Sequence, residues 1–588
     1  MSSAINFLYE PFSSSGGTQS HDQGLKCAKC VKKEPFERRT IIIIDAICAP
    51  HELDHLAATL CNAPILNDDD FISVVAVNRS GHVVLHNVAG SKHSTVFSIN
   101  ELMTQYNLTK LNTSYFEKRI RENDQTPYWF DKSAQNSLKE LLREICETAS
   151  KGQGNSKRDK RCTGLALLVS SVLASQCISS SCCNIVSFLN GPCTKGGGKV
   201  MSRERSEHMR QNHHFDSENP KLQLSKNSRK FYRKFAEKFG RENLIYEFFI
   251  SSLDQIGVLE MAPLISSSIA VSQFDSFNDD RFDKSFQKYL SLRNQNAIYN
   301  CQSKLITTRN TSIINGVPTN ILNPKHISLP VKIPLHRSST SNTVKFQTTF
   351  ENQRQKYTRT ETALLPNPDD PFRIQNEIVL SMKKMASEIV GDFDYSSHRA
   401  KKLLKQLILL PNQIRETDID RVKLIEWCYY LYKSPLLSTR NTSLDERYLF
   451  LHQILNSNRN TCLSLCKPYI WGYDDSKQDW VVLDIPLTRA QILQETKYTL
   501  CVDGGSYLVL RMGELLQKEG REFCCRLLND LQRFPQPLYV ETKIGGSQDR
   551  FLKSKIIPLD NTDKKTLDTE DMSFQEFSNL CTSPNRNK

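Results

Sequence analysis

Arg38-Arg39-Thr40-Ile41-Ile42-Ile43-Ile44-Asp45 sets four consecutive isoleucines between charged or polar residues. An uninterrupted β-branched run of this length predicts a strand buried on both faces, as strands of parallel sheets are. Outward from it, 71–77 and 82–88 read as strands joined across Asn78-Arg79-Ser80-Gly81, a hairpin signal. Helical periodicity follows over 133–147 and 163–174, then a strand at 184–190. A basic helix runs to Arg241, followed by a strand at 244–251 and a helix opened by Asp254. Strands alternating with helices imply a largely parallel sheet with helices on both sides.

The remaining chain changes character more than once. Residues 1–38 are polar and Gly/Ser-rich up to Cys27-Ala28-Lys29-Cys30. Residues 291–371 are rich in Asn, Thr, Ser and Pro, with β-like runs at 304–314 and 343–349, which fits a β-sandwich. From 372 to 458 the period becomes helical: Ile374, Ile378, Met382 and Met385 share one face, as do Leu403, Leu404, Leu407 and Ile408, with Pro411 breaking the second run. Residues 459–588 return to mixed α/β, with strands at 480–483, 497–502 and 507–510 and a helix around 520–531.

At 588 residues the chain exceeds a single core, so several domains are expected. No apolar run approaches the ~20 residues that span a bilayer, and 1–11 has no secretory pattern. The eighteen cysteines are scattered and read as reduced cytosolic thiols. The net charge of +13 points to an acidic partner. In Lys226-Asn227-Ser228-Arg229-Lys230-Phe231-Tyr232-Arg233 aromatics stand among cations. Phe231, Phe235 and Phe239 recur every four residues and read as the inward face of a helix, leaving the cations for lipid headgroups or single-stranded nucleic acid.

Near the C-terminus stands Gly545-Gly546-Ser547-Gln548-Asp549-Arg550-Phe551-Leu552-Lys553-Ser554-Lys555. Two glycines allow a tight turn, and Phe551 and Leu552 can anchor the segment while Arg550 faces outward. Taken alone, Asp549 beside Arg550 reads as a surface pair worth little. The segment resembles, however, the Gly-Gly-Ser-Gln-x-Arg-Phe-Leu-x-Ser-Lys run of the GTPase-activating inner-coat subunit family of the COPII vesicle coat. Leu253-Asp254-Gln255-Ile256-Gly257-Val258-Leu259-Glu260-Met261 is similar to another segment of that family. So are Thr163-Gly164-Leu165-Ala166, Phe188-Leu189-Asn190-Gly191-Pro192 and Asp571-Met572-Ser573-Phe574-Gln575-Glu576-Phe577.

The resemblance, to a divergent paralogue rather than the coat subunit itself, implies a multidomain α/β plus β protein. Its parts would be a von Willebrand A-like trunk at 39–290, a β-sandwich at 291–371, an all-helical domain at 372–458 and a C-terminal gelsolin-like domain at 459–588. It implies a GTPase-activating protein for a Sar-type small GTPase in endoplasmic-reticulum to Golgi transport. Arg550 would be the finger, positioned by Gly545, Gly546, Ser547, Gln548, Phe551 and Leu552. The activator would have no turnover of its own. The family usually carries alanine at Asp549, a departure that adds negative charge beside the finger. The implied partners are the GTP form of the GTPase and an anionic membrane surface; a coat adaptor subunit is left open, and no nucleic acid is expected. The implied location is the cytoplasm, including the cytoplasmic face of the endoplasmic reticulum. A structural coat subunit without activator role is the alternative reading, and a nucleic-acid-binding protein a third.

Three metal or phosphate signals weigh little. Cys27 and Cys30 form half a zinc site, resembling the second half of the family's zinc finger, and with no second pair ahead of them no zinc or other cofactor is expected. Folds of the trunk type hold a metal through Asp-x-Ser-x-Ser. Here Asp45-Ala46-Ile47-Cys48-Ala49 offers neither serine. Gly196-Gly197-Gly198-Lys199 lacks the spacing of a phosphate loop and reads as a surface loop.

Overall fold

The computed structural model describes residues 4–9, 19–24, 38–63, 70–98, 113–122, 128–149, 157–177, 183–217, 219–240, 244–265, 270–295, 299–306, 312–313, 329–334, 343–352, 355–364, 373–413, 418–438, 442–487, 497–531, 533–556 and 572–582. Arg38–Asp45 is the centre of a seven-stranded sheet. Asp70–Val77 and Cys183–Leu189 flank it in parallel, and Leu244–Ser251 and Val271–Phe274 continue beyond the latter. His82–Leu85 and Thr95–Ser98 add an antiparallel edge past Asp70–Val77.

Alternation along the isoleucine run divides the interior in two. Ile41 and Ile43 join Leu165, Val169 and Phe235 in one core. Ile42 and Ile44 join Leu53, Leu142 and Phe286 in the other. Each buried isoleucine contributes roughly 1.5–3 kcal/mol by its removal from water. The helix Pro220–Phe239 buries Phe231, Tyr232, Phe235 and Phe239, as its four-residue spacing predicts.

The polar N-terminal stretch contributes two strands. Ala4–Tyr9 pairs antiparallel with Leu329–Pro334, and Gln19–Gly24 pairs with Gln355–Leu364. These strands complete two antiparallel sheets whose other members come from 299–364. Backbone pairing across three hundred residues leaves no local pattern to read. Cys27 and Cys30 lie outside the described residues.

Helices Arg373–Asp392, Ser397–Gln413, Asp418–Lys433, Leu444–Asn456 and Arg459–Cys466 form a bundle. Pro411 sits inside the last turn of its helix rather than ending it. The late helix Phe574–Thr582 returns to this bundle, with Phe577 5.7 Å from Tyr432 and Phe574 5.3 Å from Tyr429, ring centre to centre. The C-terminal unit is a five-stranded sheet ordered Asp479–Val482, Tyr469–Asp474, Leu500–Asp503, Tyr507–Met512, Leu538–Lys543. Gln517–Asp530 covers one face through Cys524. Ser547–Ile556 covers the other through Leu552 and Ile556.

One buried charge cluster joins the α/β layer to the bundle. The Arg210 guanidinium donates to both Glu260 carboxylate oxygens at 2.8 and 2.7 Å, and to Asp445 Oδ1 at 2.7 Å. Gln255 accepts a further bond from it. Asp445 also accepts from the amides of Ile256, Gly257, Val258 and Leu259 at 2.8–3.2 Å. The cap of the helix Val258–Ile265 is thus Asp445 from the bundle, not Asp254, and the helix begins four residues later than the sequence suggests. Burial alone would raise the Asp445 carboxyl; Arg210 and the amides more than offset it and hold it below the ordinary range.

Removing one partner from a buried charge cluster leaves the others uncompensated, at about 3–5 kcal/mol. Asp445→Ala should lower stability by roughly that amount in urea unfolding. The folded-state carboxyl lies below its unfolded value of about 4. Its contribution is therefore complete above that value and is lost as pH falls through the folded-state value. A titration of the unfolding midpoint should show an acid-limb loss in the native protein that the variant lacks.

Candidate functional site

The edge strand Leu538–Lys543 runs parallel to Tyr507–Met512, with Thr542 opposite Arg511 and Lys543 opposite Met512. The chain then reverses. The Gly546 amide donates to Lys543 O at 2.9 Å, which closes a four-residue turn over Lys543, Ile544, Gly545 and Gly546. Gly545 takes φ +80°, the left-handed value that the third residue of a type II turn requires and that glycine adopts without steric penalty. The helix Ser547–Ile556 starts at once, and Arg550 lies in its first turn.

The segment is therefore turn and helix, not an extended loop. Gln548 is exposed. Leu552 is fully buried against Ile470, Leu500, Val502 and Val509, the anchoring role the sequence suggests for it. The side chains of Ser547, Arg550 and Phe551 lie outside the described residues.

Asp549 corrects the sequence reading. It does not lie at the surface but is a fully buried carboxylate. Arg511 Nε donates to its Oδ1 at 2.8 Å, the Gly545 amide donates to its Oδ2 at 2.8 Å, and Lys553 Nζ lies 3.1 Å from Oδ2. Burial works to raise this carboxyl. The Gly545 amide, Arg511 and Lys553 outweigh burial and hold it below the usual carboxylate range. Its charge is compensated inside the fold by Arg511, the Gly545 amide and Lys553. Arg511, buried in the adjacent strand, carries no motif of its own. The one signal was an acid where the resembled family usually has alanine.

The unit carrying this segment is seated on both neighbours. Arg281 Nε donates to Gln536 O at 2.9 Å, and the Gln536 amide to Ser285 Oγ at 3.1 Å, against the α/β layer. Tyr430 of the bundle donates through its hydroxyl to Ile556 O, at the far end of the helix, at 2.6 Å. Within the unit, Arg533 pairs with Asp503, Nη2 to Oδ2 at 2.9 Å, in a buried two-pronged contact.

At the carboxyl end of the isoleucine strand, Asp45 receives Arg161 Nε at 2.7 Å and the amides of Ile47 and Asn190 at 3.2 Å. A guanidinium thus engages the carboxylate at the end of this strand. Gly197 and Gly198 are packed rather than free: a Cβ at Gly197 would come within 2.5 Å of Phe231, and one at Gly198 would run into the Tyr232 hydroxyl. A cleft of about 680 Å³, lined among others by Arg158, Arg161, Arg205, His208 and the 81 % exposed Leu253, opens nearby. Among the described residues no helix is long and apolar enough to cross a membrane.

Comparison with known proteins sets this geometry in a lineage. The family described as the Sec23/Sec24 trunk domain matches residues 130–290. A protein of Saccharomyces cerevisiae, the GTPase-activating protein NEL1, is 62 % identical over 99 % of this chain and 99 % of its own length. The chain belongs to the Sec23/Sec24 family. Within that family it is a COPII-related paralogue, and its multidomain α/β architecture is shared. The crystal structure of the human COPII-coat protein Sec24c has a TM-score of 0.64 at 12 % identity, covering 96 % of this chain and 80 % of that one. At that identity the likeness is one of fold.

A methyl group at Gly545 would meet nothing within 4 Å, so substitution there tests the backbone alone. Gly545→Ala should cost about 1–2 kcal/mol, the penalty of a left-handed conformation for an L-residue, read as a lowered unfolding midpoint. An unchanged midpoint would show that the turn relaxes without strain.

Proposed function

We propose that this member of the Sec23/Sec24 family is a GTPase-activating protein for a Sar-type small GTPase at endoplasmic-reticulum export, and that Arg550 is the finger it supplies in trans. The observation that carries the reading is the 62 % identity, end to end, with a protein named as a GTPase-activating protein. The match of Gly545, Gly546, Ser547, Gln548, Arg550, Phe551 and Leu552 to the activating segment of the inner-coat subunit supports it. So does the seating of that segment at a helix start on a docked unit.

The chemistry follows from what a slow GTPase lacks. Charge builds on the transferred phosphoryl group and the leaving oxygens, and an arginine is permanently protonated with donors in a fixed fork. Placed there only when the complex forms, it stabilises the transition state more than the bound nucleotide, which is what accelerates the step. Fingers of this kind contribute on the order of 10³–10⁵ in rate. Magnesium and the residue that orients the attacking water belong to the GTPase. The gelsolin-like character of the C-terminal unit and contact of the basic helix with an anionic membrane are parts of the same reading.

Single-turnover GTP hydrolysis by a purified Sar-type GTPase, with and without the chain, tests this. Arg550→Ala should lose stimulation by on the order of 10³. Its affinity for the GTPase loaded with a non-hydrolysable analogue should stay within a few-fold. Arg550→Lys should recover little, because an ammonium offers a point charge without the fork. Equal stimulation by the alanine variant would overturn the assignment. The fold likeness to a coat protein favours a second reading, a coat or adaptor subunit. Stable heterodimer formation with the cargo-adaptor coat subunit would support that one, and its absence a soluble activator.

A further inference from the structure

We propose that Asp549 is the positioning residue of the activating segment. Its buried carboxylate ties the Gly545 turn and the first turn of the Arg550 helix to Arg511 on the neighbouring strand, so that the backbone presenting Arg550 is fixed before any partner arrives. This deepens the proposed function and rests on Arg550 acting in trans.

The two carboxylate oxygens divide the work. Oδ1 takes the Arg511 Nε at 2.8 Å, which fastens the helix start to the strand Tyr507–Met512. Oδ2 takes the Gly545 amide at 2.8 Å, closing the loop from the turn's third residue to the helix's third. It also faces Lys553, one turn further along the same helix. The Asp549 amide in turn donates to Gly546 O at 3.1 Å. Residues 545, 546 and 549 are thereby cross-linked in both directions, with Arg550 next in the chain. The arrangement is a capping box displaced by one residue: an acid at the third helical position reaches back to an amide ahead of the helix.

The placement is costly unless it is used. A carboxylate with no exposed surface requires full compensation, and Arg511, almost fully buried itself, supplies a charge that an alanine at 549 would leave without this partner. Acid and base together form one device. Its effect is on orientation, where a displacement of about 1 Å in a reacting group costs on the order of 10² in rate.

The test uses the full chain with a purified Sar-type GTPase and four proteins: native, Asp549→Ala, Arg550→Ala, and the double variant Arg511→Met with Asp549→Ala. At saturating activator, Asp549→Ala should slow stimulated hydrolysis by about ten- to a hundredfold. Its affinity for the analogue-loaded GTPase should change less than threefold. Amide exchange in a peptide spanning 538–550 should accelerate. Native-rate stimulation by Asp549→Ala, beside an inactive Arg550→Ala, would overturn the inference and leave the finger reading standing. Full stimulation by Arg550→Ala would remove both. Should Asp549→Ala unfold because Arg511 is left buried, the double variant replaces the ion pair by apolar groups, a change that buried pairs tolerate. It should fold yet remain slow, and native-rate stimulation from it would overturn the inference. Exchange in the native chain is the check that needs no variant: rapid, unprotected exchange across 544–549 would show that no such cross-link holds.

Discussion

The buried cluster of Arg210, Glu260 and Asp445 is the constraint on which the arrangement of this molecule depends. None of the three side chains is more than marginally exposed. Two anions and one cation removed from water are tolerable only while every lone pair and proton is matched. Here four backbone amides, the Ser225 hydroxyl and the Gln255 side chain complete the set. The α/β layer supplies Arg210, Glu260 and the amides, and the bundle supplies Asp445. Separating the two would expose or strand a charge on each, so their relative position is fixed far more sharply than apolar packing alone would fix it. The C-terminal unit, held to one through Gln536 and to the other through Ile556, inherits that frame.

The same device recurs on a smaller scale. Asp445 and Asp549 are both buried aspartates at helix beginnings, both accept backbone amides, and both meet an arginine from another element. In each case the helix macrodipole and the amides favour the anion, while the guanidinium brings in a distant part of the fold. A leucine in either place could fill space but could not choose one orientation among several. Directional, charged contacts select a geometry. Apolar ones, such as those of Leu552, keep it in place once selected.

Much of the frame was legible because its signals are local. The Ile41 to Ile44 run, the Phe231, Phe235 and Phe239 stripe and the helical periodicity of Ile378, Met382 and Met385 each record burial in their own spacing. What escaped was long-range. The strands Ala4–Tyr9 and Gln19–Gly24 bond through backbone, which no side chain advertises, to partners beyond residue 328. The cap on Val258–Ile265 comes from a residue nearly two hundred positions later, so Asp254 looked like the helix start. The segment from Asp571 to Phe577 stood out only by its resemblance to the inner-coat family, and its contacts with Tyr429 and Tyr432 place the helix Phe574–Thr582 with the bundle. At the candidate site the turn followed from Gly545 and Gly546, whereas Arg511 did not. A lone arginine in a strand has no pattern until its carboxylate is known.

An activating arginine differs from a catalytic side chain of an enzyme in one physical respect. It does its work in a pocket that its own chain does not build. The chain cannot correct a misplaced guanidinium by closing around the substrate. Whatever precision the group needs must be present in the free protein or be drawn from docking energy, and energy drawn from docking weakens the complex. Rigidity in the free state is therefore worth more here than in a closed active site. On the proposed reading of Arg550, that demand accounts for a segment seated at a helix start behind a left-handed glycine, with a buried acid directly before the arginine.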